Sequence, residues 1–414
     1  MLVVAGLFVL TGVLLALGLA PLPHSDWLLY WESAGDPAAY ERGGVGLWLL
    51  AVPKALGLGP VLASLVLNLA AGLLVLWIAW MLGQGRRQGW AILTCAYLFL
   101  LAPYVGIVQL DMIAAAFLAG ALACLLRSLD APGRRRFQLA AVALLAAGVS
   151  TKPQYALLAW TLVIVLALPA WLRRRQEPWA PALVGVLLVG SLLGYALDNG
   201  LRGLSGRSEA LRTSSAVTLY AGLLVSRTEN CGYWSPEAAR AAREDKDKSL
   251  PLAIRDRLAA QPPIHWRAVI WCKLPQVLRP PAFSLYWLLE APSVKSRVAA
   301  SPSRMVQEAR YQRAIDAERS LYGVVTFLLL LGVAAGALLA WRRGHRFAAL
   351  VPVAWVLSFW AVHLVFEIQG RYFLGMYLLA PLFSAFALAA ASRRPSPGAV
   401  ECGVTPYIPP EPTR

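Results

Sequence analysis

Three short stretches of this chain hold residues that could do chemistry. The first reads Pro23-His24-Ser25-Asp26-Trp27-Leu28-Leu29-Tyr30-Trp31-Glu32-Ser33-Ala34-Gly35-Asp36, with three carboxylates and three Trp or Tyr rings just past an apolar block. A carboxylate beside aromatic rings meets little competing water and can take a proton from an attacking hydroxyl. If the stretch is helical, Asp26 and Tyr30 share a face, one turn apart. Asp26 is the leading candidate base, and Glu32 and Asp36 are candidates for a second acid. Trp and Tyr also gather at membrane interfaces without any chemistry. That explains the rings but not the clustered acids.

The second stretch is a pair of turns, Gln109-Leu110-Asp111 and Ser150-Thr151-Lys152-Pro153-Gln154-Tyr155. Asp111 stands at the edge of an apolar block, where it can hydrate; at a bilayer midplane it would cost ~2.5–3.5 kcal/mol. Lys152 is the lone strong cation of its turn. It could bind a phosphate or be an ordinary interfacial lysine. The third is Phe366-Glu367-Ile368-Gln369-Gly370-Arg371-Tyr372-Phe373. A guanidinium fork matches a pair of phosphate oxygens, and Gly370 lets a large group approach the backbone. The alternative is an Arg371–Glu367 pair that pins the turn.

Other polar motifs promise less. Glu244-Asp245-Lys246-Asp247-Lys248 contains an Asp-x-Asp, but in a charged, helical run it reads as a solvated face. His24, His265, His345 and His363 are scattered, and Cys/His spacing of a metal site is absent. There is no internal repeat and no Gly-rich nucleotide loop.

The elements that must position these residues are membrane helices. Of 414 residues, 58% are hydrophobic and only 14% charged, and the mean hydropathy is +0.59. Too few charges remain to cover a soluble surface. The apolar residues fall in blocks near the ~20 residues a helix needs to cross a bilayer, apolar on every face. The pattern predicts ten spans: 3–21, 60–82, 89–103, 110–127, 137–150, 154–172, 179–198, 321–341, 347–365 and 372–391, with 89–103 and 137–150 the shortest. The first has no basic leader, and Pro21 directly follows Gly18-Leu19-Ala20, so it reads as a retained helix rather than a cleaved signal.

The net charge of +16 sits mostly in short Arg clusters between apolar blocks, a topology signal rather than a nucleic-acid surface. Arg86-Arg87, Arg134-Arg135-Arg136, Arg173-Arg174-Arg175, Arg342-Arg343 and Arg393-Arg394 each follow an even-numbered span. Both termini are therefore expected inside. All three candidate stretches then face outward.

The expected domains are an N-terminal bundle (1–198) with an acidic outer loop (22–44), an extracytoplasmic segment (199–320), C-terminal spans (321–391) and a disordered cytoplasmic tail (392–414). Residues 45–57 should form a helix on the membrane surface, and 236–260 should be helical. Cys231 and Cys272 both fall in the outer segment, where a disulfide can form; two unrelated thiols are the alternative.

With these residues in view, the chain resembles the GT-C superfamily of membrane glycosyltransferases, nearest to bacterial enzymes similar to dolichyl-phosphate-mannose protein mannosyltransferases (family 39-like). Asp26 to Ala34 looks like the family's acidic first loop. Gln109-Leu110-Asp111 looks like its second acidic turn, and the Lys152 turn has a counterpart. Residues 253–258 with Lys273-Leu274 resemble its outer segment. Glu367-Ile368-Gln369-Gly370-Arg371-Tyr372-Phe373 resembles its Gln-Gly-Arg-Tyr turn, with Gly375 where a Pro is common.

The resemblance implies an all-α fold and transfer of a sugar from a polyprenyl-phosphate donor to an acceptor hydroxyl. Transfer would invert the anomeric centre in a single displacement. Asp26 would be the base, with Asp111 also catalytic and Glu32 or Asp36 a second acid. Arg371, Lys152 and Tyr372 would meet the donor phosphate, with Tyr30 and Glu367 nearby. Some relatives use a divalent ion, although no ligand set here calls for one. The implied setting is a bacterial inner membrane with the site facing outward. The implied acceptor is a glycan, a lipid or a protein, and no nucleic acid is involved. The competing readings are a transporter or flippase of lipid-linked sugars, which would want broken helices and an internal repeat, and a surface-polysaccharide polymerase or ligase.

Overall fold

The computed structural model describes residues 2–36, 43–83, 88–129, 134–203, 217–223, 231–261, 265–278 and 284–392. The end of loop one, Arg86-Arg87, Phe283 and the tail from Arg393 lie outside them. Among the described residues the protein is all helical. In chain order the α-helices are α1 (Leu2–Leu19), α2 (Asp26–Glu32), α3 (Gly44–Ala55), α4 (Pro60–Leu82), α5 (Gln88–Leu100), α6 (Asp111–Arg127), α7 (Arg134–Thr151), α8 (Gln154–Arg173) and α9 (Ala180–Gly203). After them come α10 (Pro236–Glu244), α11 (Leu250–Ala259), α12 (His265–Leu278), α13 (Ser284–Leu289), α14 (Pro292–Ala299), α15 (Arg304–Arg342), α16 (Arg346–Val365) and α17 (Leu374–Ala391).

Each of the ten predicted spans is a helix. Seven are long and apolar enough to cross a membrane: α1, α4, α8, α9, α15, α16 and the stretch Gly370–Ala391 that holds α17. This is a polytopic membrane protein. The other three fall short for visible reasons. Helix α5 has 13 residues and α6 has 17, and α7 opens on three arginines. Large apolar side chains stand bare on the outer helices, among them Leu14, Ile164, Leu168 and Phe327, as a lipid-facing surface requires.

Helix α17 is the axle of the bundle. It is apolar on every face, and each residue from Leu374 to Ala390 is buried. It packs against α4, α5, α6, α15 and α16. Close approach elsewhere depends on small residues. A side chain at Gly194 of α9 would meet the Ala146 carbonyl at 2.6 Å, and one at Gly190 would meet Leu145 at 2.8 Å. The spacing Gly190-x-x-x-Gly194 lets α9 lie directly on α7, which steadies the Lys152 turn at the end of α7.

The ends of the bundle are tied separately. At one end the buried Glu177 accepts the backbone N–H groups of Phe347 (2.8 Å) and Ala348 (3.1 Å). A carboxylate at a helix start satisfies orphan donors and complements the dipole. Thus two connections predicted to lie inside meet at the start of α16. The other end of α16, about 30 Å away at 1.5 Å per residue, leads into the Glu367–Phe373 turn.

The region predicted to be helical over 236–260 is two helices, α10 and α11. Ser235 caps α10 by accepting the Ala238 N–H at 3.1 Å. Between them the charged run does not behave as one solvated face. Asp245 turns inward, accepting from the Tyr220 hydroxyl at 2.9 Å and from Arg257, while Lys246 and Asp247 stay exposed. The chain needs this because α10 and α11 bury Ala238, Ala241, Ala242 and Ala253, side chains too small to hold a fold by area alone. Cys231 and Cys272 are disulfide-bonded, with Cα atoms 5.3 Å apart. Next to that bond the buried Lys273 donates to the carbonyls of Gly222 (2.9 Å), Leu364 (2.8 Å) and Phe366 (2.9 Å). An ammonium has three donors and no acceptor, so Lys273 is satisfied while it joins the segment before α10 to the end of α16. Helix α15 continues through residue 321, where the eighth span was expected to begin.

Candidate functional site

Four connections meet at the end of the bundle away from Glu177. Arg371 lies in a 3-10 turn, Gly370–Phe373, that leads directly into α17. The turn is held from outside: the Glu367 N–H donates to the Thr218 carbonyl at 2.8 Å, and the Ile368 N–H donates to Gly232 at 2.7 Å. His363, at the end of α16, bonds the Glu367 carbonyl at 2.9 Å and stacks on Tyr372. With its backbone fixed, Arg371 is only 6% exposed.

Its ion partner is Asp26. Arg371 Nη2 donates to Asp26 Oδ2 at 2.6 Å, and 22% of the Asp26 side chain remains open. The stretch is helical from Asp26 to Glu32, forming α2, with Trp27 and Tyr30 on its buried face. The expected alternative, an Arg371–Glu367 pair along the turn, gives way to this contact across the molecule. Glu367 is buried and takes a hydrogen bond from Gln369.

The second pair is Asp111 with Lys152. Lys152 Nζ stands 3.0 Å from each carboxylate oxygen, and the two side chains are among the most buried charges in the protein. Asp111 opens α6, where the helix dipole favours an anion, and its own N–H donates to Gln109 Oε1 at 2.9 Å. Tyr372 connects the pairs: Lys152 Nζ lies 5.3 Å from its ring centroid and the Arg371 guanidinium 5.4 Å. Gln154 Nε2 also reaches the Tyr372 carbonyl, at 3.4 Å. Two carboxylates and two cations are thus gathered around one aromatic ring.

Of the other predicted residues, Tyr30 is buried on α2. Glu32 and Asp36 are exposed, so the second carboxylate gathered near Tyr372 is Asp111, through Lys152. Gly375 replaces the expected Pro for a steric reason: a Cβ there would lie 2.2 Å from the Tyr155 hydroxyl.

Several residues escaped the sequence reading. Trp287 of α13 lies under Arg371, with the guanidinium 5.5 Å from its ring centroid, and Trp27 meets Trp287 edge to face at 6.0 Å. His24 packs on Trp27 at 4.3 Å. Burial, reinforced by the nearby Arg371 charge, holds its imidazole below the ordinary value. Asp198, at the end of α9, is buried and accepts the Gly44 N–H at 3.3 Å, which anchors α3 beside the site. A lone acid at the end of an apolar block was the signal for Asp198. Nothing local marked Trp287.

Chemically, the arrangement can neutralise an anion with two cations while keeping a carboxylate at its open edge. Among the described residues no three His, Cys, Asp or Glu side chains gather as a metal site. Asp26 and Asp111 are each paired with a cation, so a divalent ion would have to displace one, and no step is assigned to a metal.

No family model and no curated protein matches this chain. Among solved structures it is similar to ArnT from Cupriavidus metallidurans bound to undecaprenyl phosphate. The two are 17% identical over 90% of this chain and 77% of that one, with a TM-score of 0.38. The apo state of the same enzyme gives 17% identity over 92% and 76%, with a TM-score of 0.33. Overlaps that loose carry no weight for the chemistry of this chain.

Proposed function

We propose that the protein is a membrane glycosyltransferase that moves a sugar from a polyprenyl-phosphate donor to an acceptor hydroxyl on the outer face of a bacterial inner membrane. The observation that carries this reading is the gathering of Asp26–Arg371 and Asp111–Lys152 around Tyr372 at one end of an apolar bundle. A lipid-linked donor needs both halves of that arrangement: cations for its phosphate and a lipid-facing wall for its chain, which gains ~0.8 kcal/mol per buried CH₂.

In this reading the donor phosphate takes Arg371 from Asp26. The acceptor oxygen attacks the anomeric carbon as the carbon–phosphate oxygen bond breaks. Asp26 receives the acceptor's proton, and the leaving phosphate keeps the electron pair. Arg371 and Lys152 stabilise the growing negative charge in a low-dielectric site. Asp111 holds Lys152 in place. The rings of Trp27, Tyr30 and Trp287 help keep water from the sugar. The orientation rests on the basic clusters after even-numbered spans and on the Cys231–Cys272 bond, since disulfides persist in oxidising compartments.

The test compares cells carrying Asp26→Asn or Arg371→Ala with cells carrying the unaltered protein. Both variants should reach the membrane at normal levels and lose transfer, seen as a missing sugar on envelope glycans or lipids. If both leave the cell's glycoconjugates unchanged, the mechanism is wrong.

A further inference from the structure

Residues 101–110, between α5 and α6, are buried without exception. Their backbone is clamped: Asn68 Nδ2 donates to the carbonyls of Tyr104 (3.3 Å), Val105 (3.2 Å) and Ile107 (3.1 Å). Gly106 lies so close to α1 that a Cβ would meet the Ala16 Cβ at 2.7 Å. This rigid turn holds Tyr104 at 1% exposure, and its hydroxyl has no hydrogen-bond partner in the protein. Leaving such a group unpaired costs about 1–3 kcal/mol, so its place needs a reason.

The surroundings supply one. The turn that carries Tyr104 packs against α13, whose Trp287 lies under Arg371, and Asp111, Glu318 and Arg371 all act on Tyr104 electrostatically. Two more buried donors in the same neighbourhood are also unpartnered: Arg371 Nε and Gln109 Nε2. Two acceptors there also lack a hydrogen bond, Asp111 Oδ1, which lies 3.0 Å from Lys152 Nζ, and Gln369 Oε1. With Trp287 Nε1 among them the donors outnumber these acceptors, beside two cations, so the ligand that satisfies the excess is rich in acceptors and anionic. The non-bridging oxygens of a phosphate fit that description. The neighbouring Tyr155 hydroxyl is unpartnered too, but it is packed against Gly375 and admits nothing. Tyr377, deeper in the bundle, is bonded to Thr326 at 3.0 Å.

We propose that the Tyr104 hydroxyl is a ligand of the donor phosphate, a neutral donor acting beside Arg371 and Lys152. This rests on the polyprenyl-phosphate reading of the site.

The experiment titrates undecaprenyl phosphate into the purified full-length protein in lipid nanodiscs, with undecaprenol as the phosphate-free control. Melting temperature is recorded without added ligand. Tyr104→Phe keeps the ring and removes only the hydroxyl. Its affinity for undecaprenyl phosphate should fall about tenfold, the scale of one hydrogen bond to a charged group. Its melting temperature should hold or rise, because the lost hydroxyl has no partner in the protein. Unchanged affinity overturns the proposal. So does a lowered melting temperature, which would mean that the hydroxyl has a structural partner. The underlying reading fails differently: the unaltered protein would not distinguish undecaprenyl phosphate from undecaprenol, or Arg371→Ala would bind as well as it does.

Discussion

Asp26 and Arg371 lie 345 residues apart in the chain, and Arg371 Nη2 donates to Asp26 Oδ2 at 2.6 Å. In the proposed mechanism this contact sets base and phosphate clamp against each other. While the pair is closed, Asp26 Oδ2 is occupied by Arg371. On that proposal a phosphate that binds Arg371 would open the pair and free the carboxylate, so an empty site would hold its base in check and donor binding would work against Asp26.

That competition gives a prediction with opposite signs. Asp26→Asn weakens the hold on Arg371, so affinity for undecaprenyl phosphate should rise several-fold, since ion pairs to a buried partner are worth on the order of 1 kcal/mol or more. Sugar transfer should vanish in the same variant. Binding in nanodiscs and transfer in membranes measure the two. A loss of both would show that Asp26 supports the phosphate site instead of competing with it.

Asp111 and Lys152 should behave as a unit. Removing one charge leaves the other buried and unpaired, at about 3–5 kcal/mol. Lys152→Met and Asp111→Leu should each lower the melting temperature sharply. The double variant should recover much of the loss while transfer stays absent. Additive losses in a double-mutant cycle would argue against a coupled pair.

The α10–α11 region should be acid-sensitive through Asp245. Hydrogen bonding from Arg257 holds its carboxyl below the usual range, against burial and with help from Tyr220. The unfolded carboxyl, at ~3.9, then takes up a proton before the folded one does. The stabilisation is present above about pH 4 and fades as pH falls further, through the folded value. Melting curves between pH 7 and pH 3 should show that fall, and Asp245→Asn should flatten it. An equally steep fall in the variant would assign the acid sensitivity to other groups.

Topology is testable by thiol labelling in intact cells, in a background lacking Cys95, Cys124 and Cys402. Cysteine at the exposed Arg255 should react with an impermeant reagent, and cysteine at the exposed Arg175 should not. The reverse pattern would turn the whole map over.

Much of this was legible in the chain. Ten apolar blocks became helices, and seven of them are long and apolar enough to cross a bilayer, which demands internally satisfied backbone over about 20 residues, a requirement that composition alone displays. The candidate residues stood out for the same reason. Asp111, Lys152 and Arg371 are charges at the edges of apolar blocks, where each is conspicuous. What the chain could not show was which charge faces which. Local spacing offered Glu367 as the partner of Arg371, and Glu32 or Asp36 as the second acid. The packed bundle pairs Arg371 with Asp26, and it buries Asp111 against Lys152 while Glu32 and Asp36 stay exposed. Ion pairing depends on distances of a few ångströms, and those are set by α17 at the bundle's centre and by Gly190, Gly194 and Gly375, which fix how closely the helices lie. Trp287 and Tyr104 belong to that second class. Nothing in their own segments marks them; only the fold sets Trp287 under Arg371 and packs the buried Tyr104 turn against the same helix.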